Sequence, residues 1–288
     1  MGVTKILIFC RGLASTLFLL LVMCAYSQDD ICIYGRVVDT KANGIEYVTL
    51  GIPAANVVTI TDAEGNFSFS ITDSCRDSLM VHHVSYGQKV LSPMDYLRSD
   101  SLMITLEDVA HTIDEVMVLG GRKKLSNRGV RIPGAVCTLT PDKIGAEVGS
   151  KIEVNRLIEV KEFVFATQKN DIPGLRLSIE VYNIDDADSS LCNVLTHPLY
   201  VDIPVSRKKI EHSIIPQERI LLNSGSYFVA VRFVDCDESV RWQKEENIIK
   251  PSVCFPLFLK DSYKRENIYE KPEQISFNIG MSIIGSGD

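Results

Sequence analysis

Residues 57–71 constrain the fold more than any other stretch: Val57-Val58-Thr59-Ile60-Thr61-Asp62-Ala63-Glu64-Gly65-Asn66-Phe67-Ser68-Phe69-Ser70-Ile71. Two β-rich runs flank a polar turn ending in glycine, which is the sequence form of adjacent antiparallel strands. Phe67, Phe69 and Ile71 alternate with Ser68 and Ser70, so one face of the second run is apolar and the other wet. Gly65 supplies a positive φ that a side chain would strain. Asp62 can accept hydrogen bonds from the N–H groups of its own turn.

The rest of the first half follows the same pattern. Short strands are expected at Cys32–Asp39, Tyr47–Ile52, Ser78–Ser85, Lys89–Leu91, Leu102–Leu106 and Val116–Leu119, separated by turn residues such as Thr40-Lys41-Ala42-Asn43-Gly44. No window between residues 28 and 120 carries a helical period, and this spacing predicts a small β-sandwich. Residues 120–134, Gly-Gly-Arg-Lys-Lys-Leu-Ser-Asn-Arg-Gly-Val-Arg-Ile-Pro-Gly, are a solvated linker by composition. Residues 135–288 are again β-patterned. Leu175-Arg176-Leu177-Ser178-Ile179-Glu180-Val181-Tyr182 alternates cleanly, and Asn223-Ser224-Gly225-Ser226 joins Ile220-Leu221-Leu222 to the run 227–234 as a second hairpin. A jelly-roll-like sandwich is the natural closed form. The fold class expected is therefore all-β, with two sandwiches in series.

The amino terminus reads as an export signal. Lys5 and Arg11 precede the leucine-rich core of residues 13–23, and Ala25-Tyr26-Ser27 offers small residues for cleavage after Ser27. The core is short for a membrane span, so no transmembrane segment is expected in the mature chain. Leu21-Val22-Met23-Cys24 leaves lipidation at Cys24 as the rival, though Met23 is large for that motif. Six cysteines then remain (Cys32, Cys75, Cys137, Cys192, Cys236, Cys254), as free thiols or one or two bridges. A formal net charge of -7 argues against a nucleic-acid partner.

The residues of the first half also carry a family resemblance. Gly35-Arg36-Val37-Val38-Asp39, then Asn43-Gly44-Ile45-Glu46-Tyr47-Val48, then Thr61-Asp62-Ala63-Glu64-Gly65-Asn66-Phe67 resemble the successive steps of the carboxypeptidase-regulatory-like domain. Val84-Ser85-Tyr86-Gly87 and Ile113-Asp114-Glu115-Val116-Met117-Val118 are similar to later steps of copies found on outer-membrane proteins of Bacteroidetes-type bacteria. The resemblance implies a transthyretin-like sandwich acting as an accessory module rather than a peptidase. Ile45-Glu46-Tyr47 stands where the family usually has a Pro-Leu pair. The second half is similar to the β-sandwich that follows this domain in such surface proteins, which implies no catalytic residues.

Little in the sequence suggests chemistry. His82, His83, His111, His197 and His212 include no pair spaced for zinc, and neither a nucleophile elbow nor a phosphate loop is present. No cofactor or metal is expected, and the chain is expected not to be an enzyme. His82 and His83 point to opposite faces of a strand and read as half-buried. The candidate contact residues are Asp185, Asp186 and Asp188 in one acidic loop, Asp235 and Asp237 in another, and Trp242, grouped at one edge of the second sandwich. Trp242 with Tyr263 and Tyr269 could also form a flat platform for a sugar. The expected role is an exported binding or assembly module of the periplasm or outer-membrane surface, its partner an envelope protein or a glycan. A carbohydrate-binding accessory protein is the alternative.

Overall fold

The computed structural model describes residues 30–98, 101–109, 120–126, 129–185, 187–188, 190–241 and 250–287. The expected signal segment, the strand at residues 116–119, His111, Asp186 and Trp242 lie outside the described residues. The chain is all-β and sandwich-type. Among the described residues no helix is long and apolar enough to cross a membrane.

Among the described residues the first β unit has seven strands, β1 (Asp30–Val38), β2 (Thr49–Ile52), β3 (Val57–Ile60), β4 (Asn66–Thr72), β5 (Leu79–His83), β6 (Tyr86–Leu91) and β7 (Leu102–Thr105). They form two sheets, β4-β1-β7 and β3-β2-β5-β6. Phe67, Phe69 and Ile71 turn inward from β4 while Ser68 and Ser70 face out, as the alternation requires. They meet Ile33 and Val37 of β1, and Leu50, Ile52, Leu79 and Val81 of the facing sheet, in one apolar cluster.

The 57–71 stretch is not a hairpin ladder. β3 pairs with β2 and β4 pairs with β1, so the turn hands the chain from one sheet to the other. The turn itself is as the residues dictate: Asp62 Oδ1 accepts the N–H groups of Glu64 and Asn66, and Gly65 has φ +83. What redirects the strand is that the Gly65 carbonyl accepts the Val37 N–H at 2.8 Å, drawing β4 onto β1. On the other side, Thr61 exchanges backbone and hydroxyl bonds with Ile45, Tyr47 and Val48, which ties β3 to β2.

The second unit repeats this on a larger scale. Its main sheet runs β14-β13-β18-β10-β20-β21, with β15 also on β13; the strands are β10 (Glu147–Val154), β13 (Arg176–Ile184), β14 (Leu191–Asn193), β15 (Leu199–Asp202), β18 (Gly225–Asp235), β20 (Ser262–Arg265) and β21 (Glu273–Ile275). Facing it are β11 (Ile158–Thr167), β16 (Ile210–Ile214), β17 (Ile220–Leu222), β22 (Ser282–Ser286) and β8 (Arg122–Ser126). A ribbon of β12 (Lys169–Asn170), β19 (Val253–Leu259) and β9 (Val130–Leu139) extends that side. Ile152, Ile179, Val229 and Phe233 meet Phe163, Phe165, Phe255 and Ile283 in the core between. The turn before Gly225 likewise joins two sheets rather than a hairpin, since β17 pairs with β11 and β18 with β10 and β13.

Residues 120–134, expected as a linker, are mostly strand. β8 pairs along its length with β22, and β9 begins at Val130 opposite Leu259. Alternate residues of Arg-Lys-Lys-Leu-Ser are half-buried, and Leu125 packs on the second core. The six described cysteines are free thiols. Cys137 and Cys254 lie one step apart on paired strands, where neighbouring positions face opposite sides.

Candidate functional site

β13 and β18 are buried on both faces over most of their length. Their outward residues are therefore not the wet side of a surface sheet. Strand register lines up Ser178 of β13, Arg232 of β18, Glu147 of β10 and Arg265 of β20 in one row across four strands. Glu180 and Tyr182 stand one and two steps along β13 on the same side, because every second residue shares a face.

These side chains satisfy one another. Arg265 Nε donates to Glu147 Oε2 at 2.5 Å, and Tyr182 Oη donates to Glu147 Oε1 at 2.8 Å. Arg232 Nη2 meets Glu180 Oε1 at 2.7 Å, and the Ser178 hydroxyl donates to the same oxygen at 2.6 Å. The Arg265 guanidinium lies 4.6 Å from the centroid of the Tyr182 ring. Burial pushes the Glu180 carboxyl up against the pull of Arg232. Burial also opposes the charge on Arg232, yet Glu180, Tyr182 and Glu147 hold it protonated above its ordinary range. Glu147 and Glu180 are 1% and 3% exposed, so no solvent-borne substrate reaches this ladder.

The cover is the first β unit. The Tyr269 hydroxyl lies 2.7 Å from the Thr49 carbonyl oxygen and 3.0 Å from that of Met80, and its ring occupies the space over Gly51. Tyr47 reaches the other way: Arg176 Nη1 donates to its hydroxyl at 2.9 Å, and its ring sits edge-on to Tyr200 at 4.9 Å. Tyr47 does so from φ +56, a left-handed conformation costing about 1 kcal/mol for a non-glycine residue. Val84, just after β5, packs on the core of the second unit. His82 and His83, expected on opposite faces, both turn to this seam, because the ladder is irregular between Val81 and His83. Burial and the charges of Arg232 and Arg265 depress His82 to about 4. Burial, with Arg232, His82 and His197, depresses His83 to about 3.

Two hollows open at the rim of the seam. One, of about 420 Å³, takes Glu46, His83, Tyr86 and Asp108 from the first unit and His197 and Tyr200 from the second. The other, of about 320 Å³, sets an apolar patch of Leu195, Leu199, Ile214, Ile215, Pro216 and Ile220 beside Thr196, Gln217 and the His197–Glu218 pair. His197, Pro198 and Tyr200 line both, so the segment before and into β15 is their common wall.

The described residues among those expected to form a contact edge, Asp185, Asp188, Asp235 and Asp237, are not brought together. Asp185 and Asp188 are exposed in the turn after β13, where they cap the N–H groups of Ala187 and Ser190. Asp235 pairs across from Arg176 at the opposite end of β13, roughly 30 Å from Asp185 at ~3.3 Å per residue. It contacts Arg241 and accepts the Cys236 N–H, while Asp237 accepts the Ser239 N–H. Nor do Tyr263 and Tyr269 make a platform, since Tyr263 is buried against Phe228 and Tyr269 is spent on the seam. Among the described residues no group of three or more His, Cys, Asp and Glu is placed to hold a metal ion.

The ladder and the seam were missed by sequence reasoning, although one signal was present. Tyr227-Phe228-Val229-Ala230-Val231-Arg232-Phe233-Val234 is apolar at both parities, the mark of a strand covered on both faces. Its one charge had to find a buried partner.

No family model and no curated relative matches this chain. Among solved structures it is similar to "Structure of infectious bursal disease virus Gx strain", at 9% identity and TM-score 0.21, covering 89% of this chain and 56% of that one. The chain thus spans little more than half the length of that protein. A second, "Structural basis for the promiscuous specificity of the carbohydrate- binding modules from the beta-sandwich super family", has 9% identity and TM-score 0.15, covering 73% of this chain and 98% of that one. Neither bears on what the chain does.

Proposed function

We propose that the chain is an exported, non-enzymatic binding or assembly module of the cell envelope, with its first β unit, similar to the carboxypeptidase-regulatory-like domain, docked on and orienting the second. The observation that carries this reading is the division of polar groups at the seam. The carboxylates and guanidinium groups that acid–base chemistry would use are paired with one another beneath the first unit. The space open to solvent lies at the rim, where both units contribute side chains and a rigid seam presents them together. An accessory unit that covers and fixes its neighbour creates a composite surface neither has alone.

Photo-crosslinking in cells tests this. Benzoylphenylalanine at Val109 or Ile215, on the rim hollows, should give a discrete adduct with an envelope component, whereas the same residue at exposed Met103 on β7 should not. Equal adducts at all three positions would overturn the reading. So would turnover of an envelope glycan or peptide by the purified chain that is lost in Glu147→Gln.

A further inference from the structure

The two rim hollows differ in chemistry in a way that specifies an occupant. The larger hollow carries the carboxylates of Glu46 and Asp108, and among the described residues no Lys or Arg is in its wall. Neither carboxylate has an ion-pair or side-chain hydrogen-bond partner among the described residues, whereas most acidic groups around the seam do. The rings of Tyr86 and Tyr200 stand with them, and Asp108 pairs with Tyr86 across a single β-bridge. Burial keeps His83 neutral and the other imidazole of the wall, His197, is engaged by Glu218, so Glu46 and Asp108 supply the wall's unmatched charge beside its aromatic faces. A guanidinium or ammonium group is stabilised by both. The seam cations do not fill this place, because Arg176 is held by Asp202 and the Tyr47 hydroxyl, and Arg232 by Glu180.

The smaller hollow asks for something else. Ile215 is 73% exposed at its rim, and Leu195, Leu199, Ile214 and Pro216 continue the apolar surface inward. An isoleucine so exposed beside a concavity gains by covering. Both hollows fall within the roughly 300–1,000 Å³ typical of small ligand sites. They adjoin along residues 197–200, so one extended chain can cross that wall and place side chains on both sides.

We propose that the paired hollows hold an extended segment of a partner protein, with an aliphatic side chain in the apolar hollow and a lysine or arginine between Glu46 and Asp108. This rests on the binding-module reading and adds the chemistry of its ligand. The segment's basic charge complements the acidic hollow and the chain's formal net charge of -7.

The test uses the full chain and acetyl-Leu-(Gly)n-Arg-amide peptides with one to three glycines, each beside its citrulline isostere, followed by NMR of labelled isoleucine methyls and tyrosine rings. At least one arginine peptide should shift the Ile214, Ile215, Tyr86 and Tyr200 signals saturably and bind at least tenfold tighter than its isostere. Glu46→Gln with Asp108→Asn should erase that ratio without moving Tm, and Ile215→Ser should weaken both peptides equally. Equal binding of arginine and citrulline peptides would overturn the basic ligand. No saturable shift at any spacer length would overturn the peptide occupant. In either failure, position-specific crosslinks at Val109 and Ile215 would still uphold the binding module, so the two readings fail separately.

Discussion

Acid should loosen the seam before it unfolds either sandwich, and the size of the effect can be worked from two histidines. His83 is buried against Tyr86 and held near pKa 3, and His82 near 4, against an ordinary 6.5. Unfolded, both would take up a proton as pH falls below 6.5; folded, both resist because burial and the two guanidinium groups disfavour a further positive charge. The stability they contribute is therefore full above pH 6.5 and is lost progressively as pH falls toward 4 and 3. At pH 5 the loss is about 2 kcal/mol for His83, and ~1–2 kcal/mol for the more open His82. His212, also lowered by burial, adds to the loss from a site inside the second unit. The measurement is urea denaturation at pH 7, 6 and 5 for the wild type and for His82→Gln with His83→Gln. Glutamine can still accept the Ser85 N–H that His83 Nδ1 accepts at 3.2 Å. The wild type should lose about 3–4 kcal/mol more than the double variant between pH 7 and 5. Equal losses would refute the reasoning and place the acid response elsewhere.

Three further outcomes follow from the geometry. Arg232→Met should cost about 3–5 kcal/mol by leaving Glu180 buried without its guanidinium, and adding Glu180→Leu should recover much of it; paired denaturation curves decide. Gly65→Val should lower stability by about 3 kcal/mol or more, because a Cβ there would stand 2.4 Å from the Val37 carbonyl oxygen at φ +83; an unchanged Tm would contradict this. Intact mass of exported protein should give a chain beginning at Gln28, and a lipid-modified Cys24 at the amino terminus would exclude that processing.

The sequence by itself determined the all-β class, the facing of its clearest strands and the turn chemistry. The alternation in β4 and β13, the Asp62 brace and the positive φ of Gly65 all depend on neighbours a few residues away, and they read correctly for that reason. Pairing did not read. Both glycine-ended turns looked like hairpins, yet each carries the chain between sheets, because a period of two states which way a side chain points and not which strand lies alongside. The basic run after residue 120 looked like a tether because composition cannot register that β22 offers it a free edge. The candidate site was hidden for a related reason. Arg176, Ser178, Glu180 and Tyr182 form a polar stripe that suits water as well as it suits a second layer of protein. Only the docking of the first unit, with Tyr47 and Tyr269 reaching across in opposite directions, removed the water and made that stripe a buried charge ladder with hollows at its rim.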